Sequence, residues 1–243
     1  EANSQDILAE MAEKVTPHDI AVLKMIAMTA MTGMGAENAK DKLSDIAVRA
    51  AKLVMDTVDK GVLVDRDNIK IEKKVGSSVN DTELVEGIVL DKERVNPGMP
   101  RFVKNAKIAL IDSAIEIKNT EIDAKIQITD PAQIQAFLDQ EEKMLKDKVQ
   151  KILRSGANVV ICQKGIDDVA QHYFAKAGVY AVRRAKQSDM EALSRATGAA
   201  IVTNLDEMSA GDLGKSGVVE EVKVGDEEMT YIRNCDNPKS VTI

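Results

Sequence analysis

SGANVVICQKGIDDVAQHYFAKAGVYAVRR, residues 155–184, holds a strand, a helix and a second strand in thirty residues. Asn158-Val-Val-Ile-Cys162 is a short apolar run rich in β-branched side chains, the composition of a buried strand. Ile166, Val169, Ala170, Tyr173, Phe174 and Ala177 then recur at i, i+3, i+4, i+7, i+8 and i+11, which predicts one apolar stripe along a helix. Gly178 stands where such a helix ends, and Val179-Tyr-Ala-Val182 resumes strand character. The βαβ unit places the chain in the α/β class.

Immediately upstream, Asp130-Pro131 caps and opens a helix that the pattern carries to about Arg154. Ile134, Leu138, Leu145, Val149 and Ile152 form its stripe, while Phe137 and Met144, with Ile126 and Ile128 just before it, add apolar surface to the N-terminal half. Some 24 residues of helix reach about 36 Å, further than a sheet of five-residue strands is deep. The first half is therefore expected to project beyond the sheet. Either another segment covers its apolar groups, which the pattern alone favours, or they form an exposed binding patch.

Around this centre, strand signals appear at Ile69–Lys73, Leu84–Leu90, Lys107–Ile111 and Ala124–Thr129. Downstream, a helix over Ser188–Thr197 leads to a strand at Ala200–Thr203, and paired strands follow near Val218–Val224 and Met229–Asn234. This alternation predicts a largely parallel sheet with added antiparallel strands. Residues 1–67 read differently, as a small helical unit. A short helix spans Asp6–Lys14, Thr16-Pro17 opens a second, and a third runs from Asn38 to Val58 after the Gly33-Met-Gly35 break.

With 33 basic and 40 acidic residues the net charge is −7, which argues against a nucleic-acid footprint. No apolar run approaches the roughly 20 residues of a membrane span, and the acidic EANSQDILAE start is no secretory signal. Cys162 and Cys235 read as reduced thiols of a cytoplasmic protein. Eleven methionines against three phenylalanines and three tyrosines suggest adaptable core filling.

Enzyme motifs fail one by one. Gly214-Lys-Ser216 lacks the first glycine of a phosphate loop, because that position is Ser209. Gly33-Met-Gly35 follows a helix and has Asn38 where a dinucleotide fingerprint needs its third glycine. His18 and His172 have no ligand-spaced partners, so no metal site is expected. Asp112 and Glu116 suit structural hydrogen bonding. The best remaining enzyme reading is a small doubly wound protein holding a phosphorylated ligand at the Gln163-Lys-Gly-Ile166 turn.

Several long segments resemble the group II chaperonins, the archaeal thermosome family. They are VEGIVLDKERVNPGMP (85–100), ALIDSAIEIKNTEIDAKIQITDPAQIQAFLDQEE (109–142), VVICQKGIDDVAQHYFAKAGVYAVRR (159–184), SDMEALSRATGAAIV (188–202) and CDNPKSVTI (235–243). All are similar to the family's apical domain, and VLKMIAMTAMTGMGAENAKDKLSDIAVRAA (22–51) to its intermediate domain. The resemblance implies an intermediate-domain segment over 1–67, an apical substrate-binding β/α/β sandwich-like domain over 68–237, and a returning intermediate segment beginning at 238–243. It makes 115–151 a helical protrusion, the lid of a folding chamber.

On that resemblance, Ile126, Ile128, Phe137, Leu138 and Met144 are exposed contacts for unfolded polypeptide or neighbouring subunits, with Asp168, Gln171, His172 and Lys176 turned towards the chamber. Gly33, Met34 and Gly35 match a nucleotide-sensing loop in which family members often carry Lys at the middle position, and Met34 supplies no cation. Gly61 and Pro238 join these glycines as implied hinge positions. The family's GDGTT motif and catalytic aspartate segment do not occur, so the chain is expected to be a chaperone piece without ATPase activity, although intact members use ATP and Mg.

Overall fold

The computed structural model describes residues 2–35, 37–59, 61–75, 78–117, 131–236 and 238–243. Ile126 and Ile128 therefore lie outside the described residues. Helix α1 spans Ala2–Met11 and α2 Ile20–Ala30. Thr16-Pro17 does not open α2. Asp19 precedes it, and the Asp19 carboxylate turns back to accept from the Thr16 N–H at 2.7 Å and hydroxyl at 2.8 Å. That pair of bonds holds the Asp19 carboxyl below its usual range.

Helix α3, Lys40–Leu53, is shorter than the periodicity predicts. The residues after it form a hairpin of β1 (Met55–Val58) and β2 (Gly61–Val64), paired from Met55↔Val64 to Val58↔Gly61. Val54, Thr57, Val58, Val62 and Val64 are β-branched, and once a turn is available they favour an extended ladder over a further helical turn.

The α/β core follows: β3 (Ile69–Lys70), β4 (Ile88–Leu90), β5 (Phe102–Ile111), α4 (Pro131–Arg154), β6 (Val159–Cys162), α5 (Asp168–Lys176), β7 (Tyr180–Val182), α6 (Gln187–Thr197), β8 (Ile201–Val202), β9 (Gly214–Val224), β10 (Glu227–Arg233) and β11 (Val241–Thr242). The main sheet runs β4-β10-β9-β5-β6-β7. Its pairings divide evenly, a departure from the largely parallel expectation. β5–β6, β6–β7 and β5–β8 are parallel, whereas β5–β9, β9–β10 and β10–β4 are antiparallel. β5 accounts for the mixture. Its first part pairs with β9 from Phe102 to Ile108, and its last two residues pair with β8 on that same edge.

Alternation along the central strands builds two cores. Ile108, Leu110, Val159, Ile161, Tyr180 and Val182 point to the face covered by Met190, Leu193 and Ala196 of α6. Ala109, Ile111, Val160, Cys162 and Ala181 point to the other face, under Val149 and Ile152 of α4 and Ala170 and Phe174 of α5. At the far end β11 pairs in parallel with β3, so Val241 packs with Ala50 and Val54 and ties the chain's last strand to the N-terminal helices.

Cys162 and Cys235 are buried free thiols, and burial pushes both up to about 11 from the ordinary 9.0. At pH 8 the thiolate fraction then falls about a hundredfold. Labelling of the native chain by an aromatic disulfide reagent at pH 8 is expected to be slower than that of the urea-unfolded chain by that factor. Equal rates would show the two sites open to solvent.

Candidate functional site

Helices α4 and α5 carry the residues of interest. Asp167 starts α5 by accepting from the Val169 N–H at 2.9 Å, which satisfies one of the helix's free donors. Gly178, at φ 70°, ends it: its N–H donates to Ala175 and that of Val179 to Phe174. Both bonds belong to a left-handed glycine cap. Ile166, Ala170 and Phe174 are buried, as their spacing predicts. Val169, at 39% exposed, and Ala177 are not.

Gln171 takes the buried place beside them, which corrects the expectation that it faces solvent. Its Nε2 donates to the Ile166 carbonyl at 2.8 Å and to Asp168 Oδ1 at 3.0 Å, so both amide hydrogens are used and the polar end is buried without penalty. Gln171→Leu is expected to cost about 1–3 kcal/mol in urea unfolding, because the Ile166 carbonyl loses its donor. Capture of unfolded polypeptide should not change. Loss of capture at unaltered stability would restore Gln171 as a contact. Asp168, His172 and Lys176 remain exposed, with the His172 ring 6.1 Å from that of Tyr173.

Helix α4 changes character along its length. Leu145, Val149 and Ile152 are buried against the sheet, whereas Gln135 to Gln140 are exposed throughout. Phe137, Leu138 and Met144 stand 46%, 51% and 50% exposed. Seven residues are close to two helical turns, so Phe137 lies in line with Met144 and Leu138 with buried Leu145. Leu138 thus continues the core stripe into the exposed part of the helix. The two helices are fastened at mid-length: the Tyr173 hydroxyl donates to Glu142 Oε1 at 2.6 Å, and Lys146 Nζ lies 5.9 Å from the Tyr173 ring centroid. That hydrogen bond holds the Tyr173 phenol above its ordinary range.

The Gln163-Lys-Gly-Ile166 turn is unsuited to phosphate. The Asp167 carboxylate occupies the helix start, and Glu116 lies so close over Gly165 that a methyl group there would collide with its carboxylate. The Gly33-Met-Gly35 loop has left-handed glycines at φ 80° and 74° around an exposed Met34. Residues missed by sequence reasoning surround it. The Gly33 N–H donates to Glu37 Oε1 at 2.9 Å, and Lys40 reaches back to the Thr32 hydroxyl. Among the described residues, no group of three His, Cys, Asp or Glu could hold a metal, and no helix is long and apolar enough to cross a membrane.

Residues 2–243 match the TCP-1/cpn60 chaperonin family, and the chain belongs to it. It is 59% identical over 238 residues to thermosome subunit beta of Archaeoglobus fulgidus and 57% identical over 240 residues to the thermosome subunit of Methanopyrus kandleri. These alignments cover 98% and 99% of the chain, and the chain spans 44% of the length of each relative. Its fold is similar, with a TM-score of 0.77 and 42% identity, to an open-state monomer of a group II chaperonin from Methanococcoides burtonii, covering 99% of this chain and 54% of that one.

Proposed function

We propose that the chain is the polypeptide-binding part of a group II chaperonin, and that the N-terminal half of α4 belongs to its built-in lid. One observation carries this reading: a single helix buries Leu145, Val149 and Ile152 while leaving Phe137, Leu138 and Met144 in water. An exposed apolar patch on a rigid helix binds whatever apolar surface an unfolded chain offers, at about 25 cal/mol per Å² and with little regard to sequence. Asp168, His172 and Lys176 on α5 supply an adjoining polar rim. Neighbouring subunits of a ring are the second class of partner for the same patch, and the cytoplasm is the compartment that the reduced thiols suit.

Nucleotide chemistry is assigned to other parts of the intact protein. The Gly33-Met-Gly35 loop offers phosphate no free cation at its centre, and the Glu37 carboxylate occupies the Gly33 N–H. With Met34 in place of a lysine, this loop lacks the cation by which family members sense bound ATP and Mg. The test is suppression of the aggregation of a chemically unfolded protein by the 243-residue chain, with ATP·Mg titrated calorimetrically alongside. Suppression without ATP turnover supports the proposal. Micromolar nucleotide binding with turnover, or no suppression at stoichiometric excess, overturns it.

A further inference from the structure

At the carboxyl ends of β5 and β6 the sheet opens into a crevice of about 870 Å³ between the loop after β5, the loop after β6 and the base of α4. In open α/β sheets this is where ligands are held. The walls are fixed by backbone bonds: Gln163 N–H to Ile111 O, Ile115 N–H to Gly165 O, and Arg184 N–H to Lys164 O, all within 2.9–3.1 Å. Lys148 adds bonds to the carbonyls of Ala114 and Glu116 at 3.2 and 2.9 Å. Within this rigid frame two buried polar atoms, Asp112 Oδ1 and Ser113 Oγ, have no hydrogen-bond partner among the described residues. Lys164 Nζ balances the Asp112 charge from 3.6 Å, too far to bond that oxygen. Unmatched buried polar atoms are rare enough in folded proteins to need a cause.

The chemistry of the lining selects the ligand. An inorganic anion would meet the Asp112 and Glu116 carboxylates, and a cation would meet Lys164 and Arg184. A neutral ligand that carries donors and acceptors side by side satisfies all four, and an amide backbone does so at every residue. Ile117 and Met144 add an apolar wall. We infer that the crevice takes a short extended stretch of polypeptide main chain, with an N–H donating to Asp112, a carbonyl accepting from Ser113 or Arg184, and one apolar side chain against Ile117 and Met144. This rests on the proposal that the chain binds unfolded polypeptide and gives that site a polar component with a direction.

The probe is a fluorescein-labelled, end-blocked nonapeptide of alternating glycine and leucine, titrated against the full chain by anisotropy. A second peptide has every leucine nitrogen methylated, which removes those donors and leaves the side chains. Binding of the first is expected to exceed that of the second by at least tenfold, and Asp112→Ala, which removes the acceptor, is expected to erase the difference while leaving the melting temperature level or higher. The N-methyl comparison uses unaltered protein, so it stands even where a variant folds poorly. Equal affinity for the two peptides, or a preference that survives Asp112→Ala, overturns the inference. If neither peptide binds while aggregation is still suppressed, the crevice holds water only and the function proposed above stands. Failure of both assays removes both.

Discussion

Replacing Phe137 and Met144 together by serine is expected to weaken capture of unfolded polypeptide about thirtyfold with almost no change in stability. Each side chain is about half exposed, so a bound client can still remove roughly half its surface from water. Full burial of such a side chain contributes about 1.5–3 kcal/mol, leaving roughly 1 kcal/mol for each here. Their sum of about 2 kcal/mol corresponds to a factor of about thirty in affinity. Exposed positions away from caps and strained backbone usually change stability by less than about 0.5 kcal/mol. Leu145, one residue beyond Met144, is the opposite case: it is buried, and Leu145→Ser should damage the fold itself. Aggregation-suppression titrations read beside thermal melts separate the two effects. A double variant that protects as well as the parent chain would show that clients do not use this face of α4.

A large loss of stability is expected from Gly87→Ala. Gly87 sits at φ 147°, a conformation that side chains avoid, at the point where the chain turns into β4. Its N–H donates to the Val85 carbonyl at 2.9 Å, and its own carbonyl accepts from the Thr242 hydroxyl at 3.2 Å. A methyl group there would overlap the backbone carbonyl oxygen of Ile232, which pairs with Ile88 in the β4–β10 ladder. Backbone presses on backbone, so no side chain can swing aside to relieve the contact. Strain and overlap together should cost about 3 kcal/mol or more. For a chain of this size that lowers the midpoint by on the order of 10 °C. Gly156→Ala is the control, since Gly156 has φ 87° with open space around it and only the left-handed strain of about 1–2 kcal/mol applies. Circular-dichroism melts of the two variants make the comparison. A Gly87 variant no worse than the Gly156 variant would place β4 wrongly against β10.

Much of the candidate site could be read from residue order because its signals are local. The 24-residue span of α4, from Pro131 to Arg154, follows from proline at its start and a sustained period of 3.6. Its apolar stripe runs from buried Leu145, Val149 and Ile152 to exposed Leu138, as helical spacing lines them up. Gln171 was illegible for a specific reason. Helical periodicity marks a face only to within one residue, and a glutamine on that edge is buried or exposed according to whether a carbonyl is waiting for it. The Ile166 carbonyl is such a partner, and it lies outside the helix. The crevice beside α4 was hidden in the same way. Asp112, Ser113, Lys164 and Arg184 are distant in sequence, and only the parallel alignment of β5 and β6 brings their loops together.

Local order along the chain was enough to specify the βαβ unit at 155–184, the end of α5 at Gly178, and the long α4, since each rests on contacts within a few turns or one strand. Long-range packing had to choose the rest. The edge of β5 is shared between β9 and β8, β11 pairs with β3 from the opposite end of the chain, and the Val54–Val64 stretch leaves the helix for a hairpin. Backbone donors accept any strand of suitable register, so which one arrives is settled by burial summed over the whole core, a quantity no single segment contains.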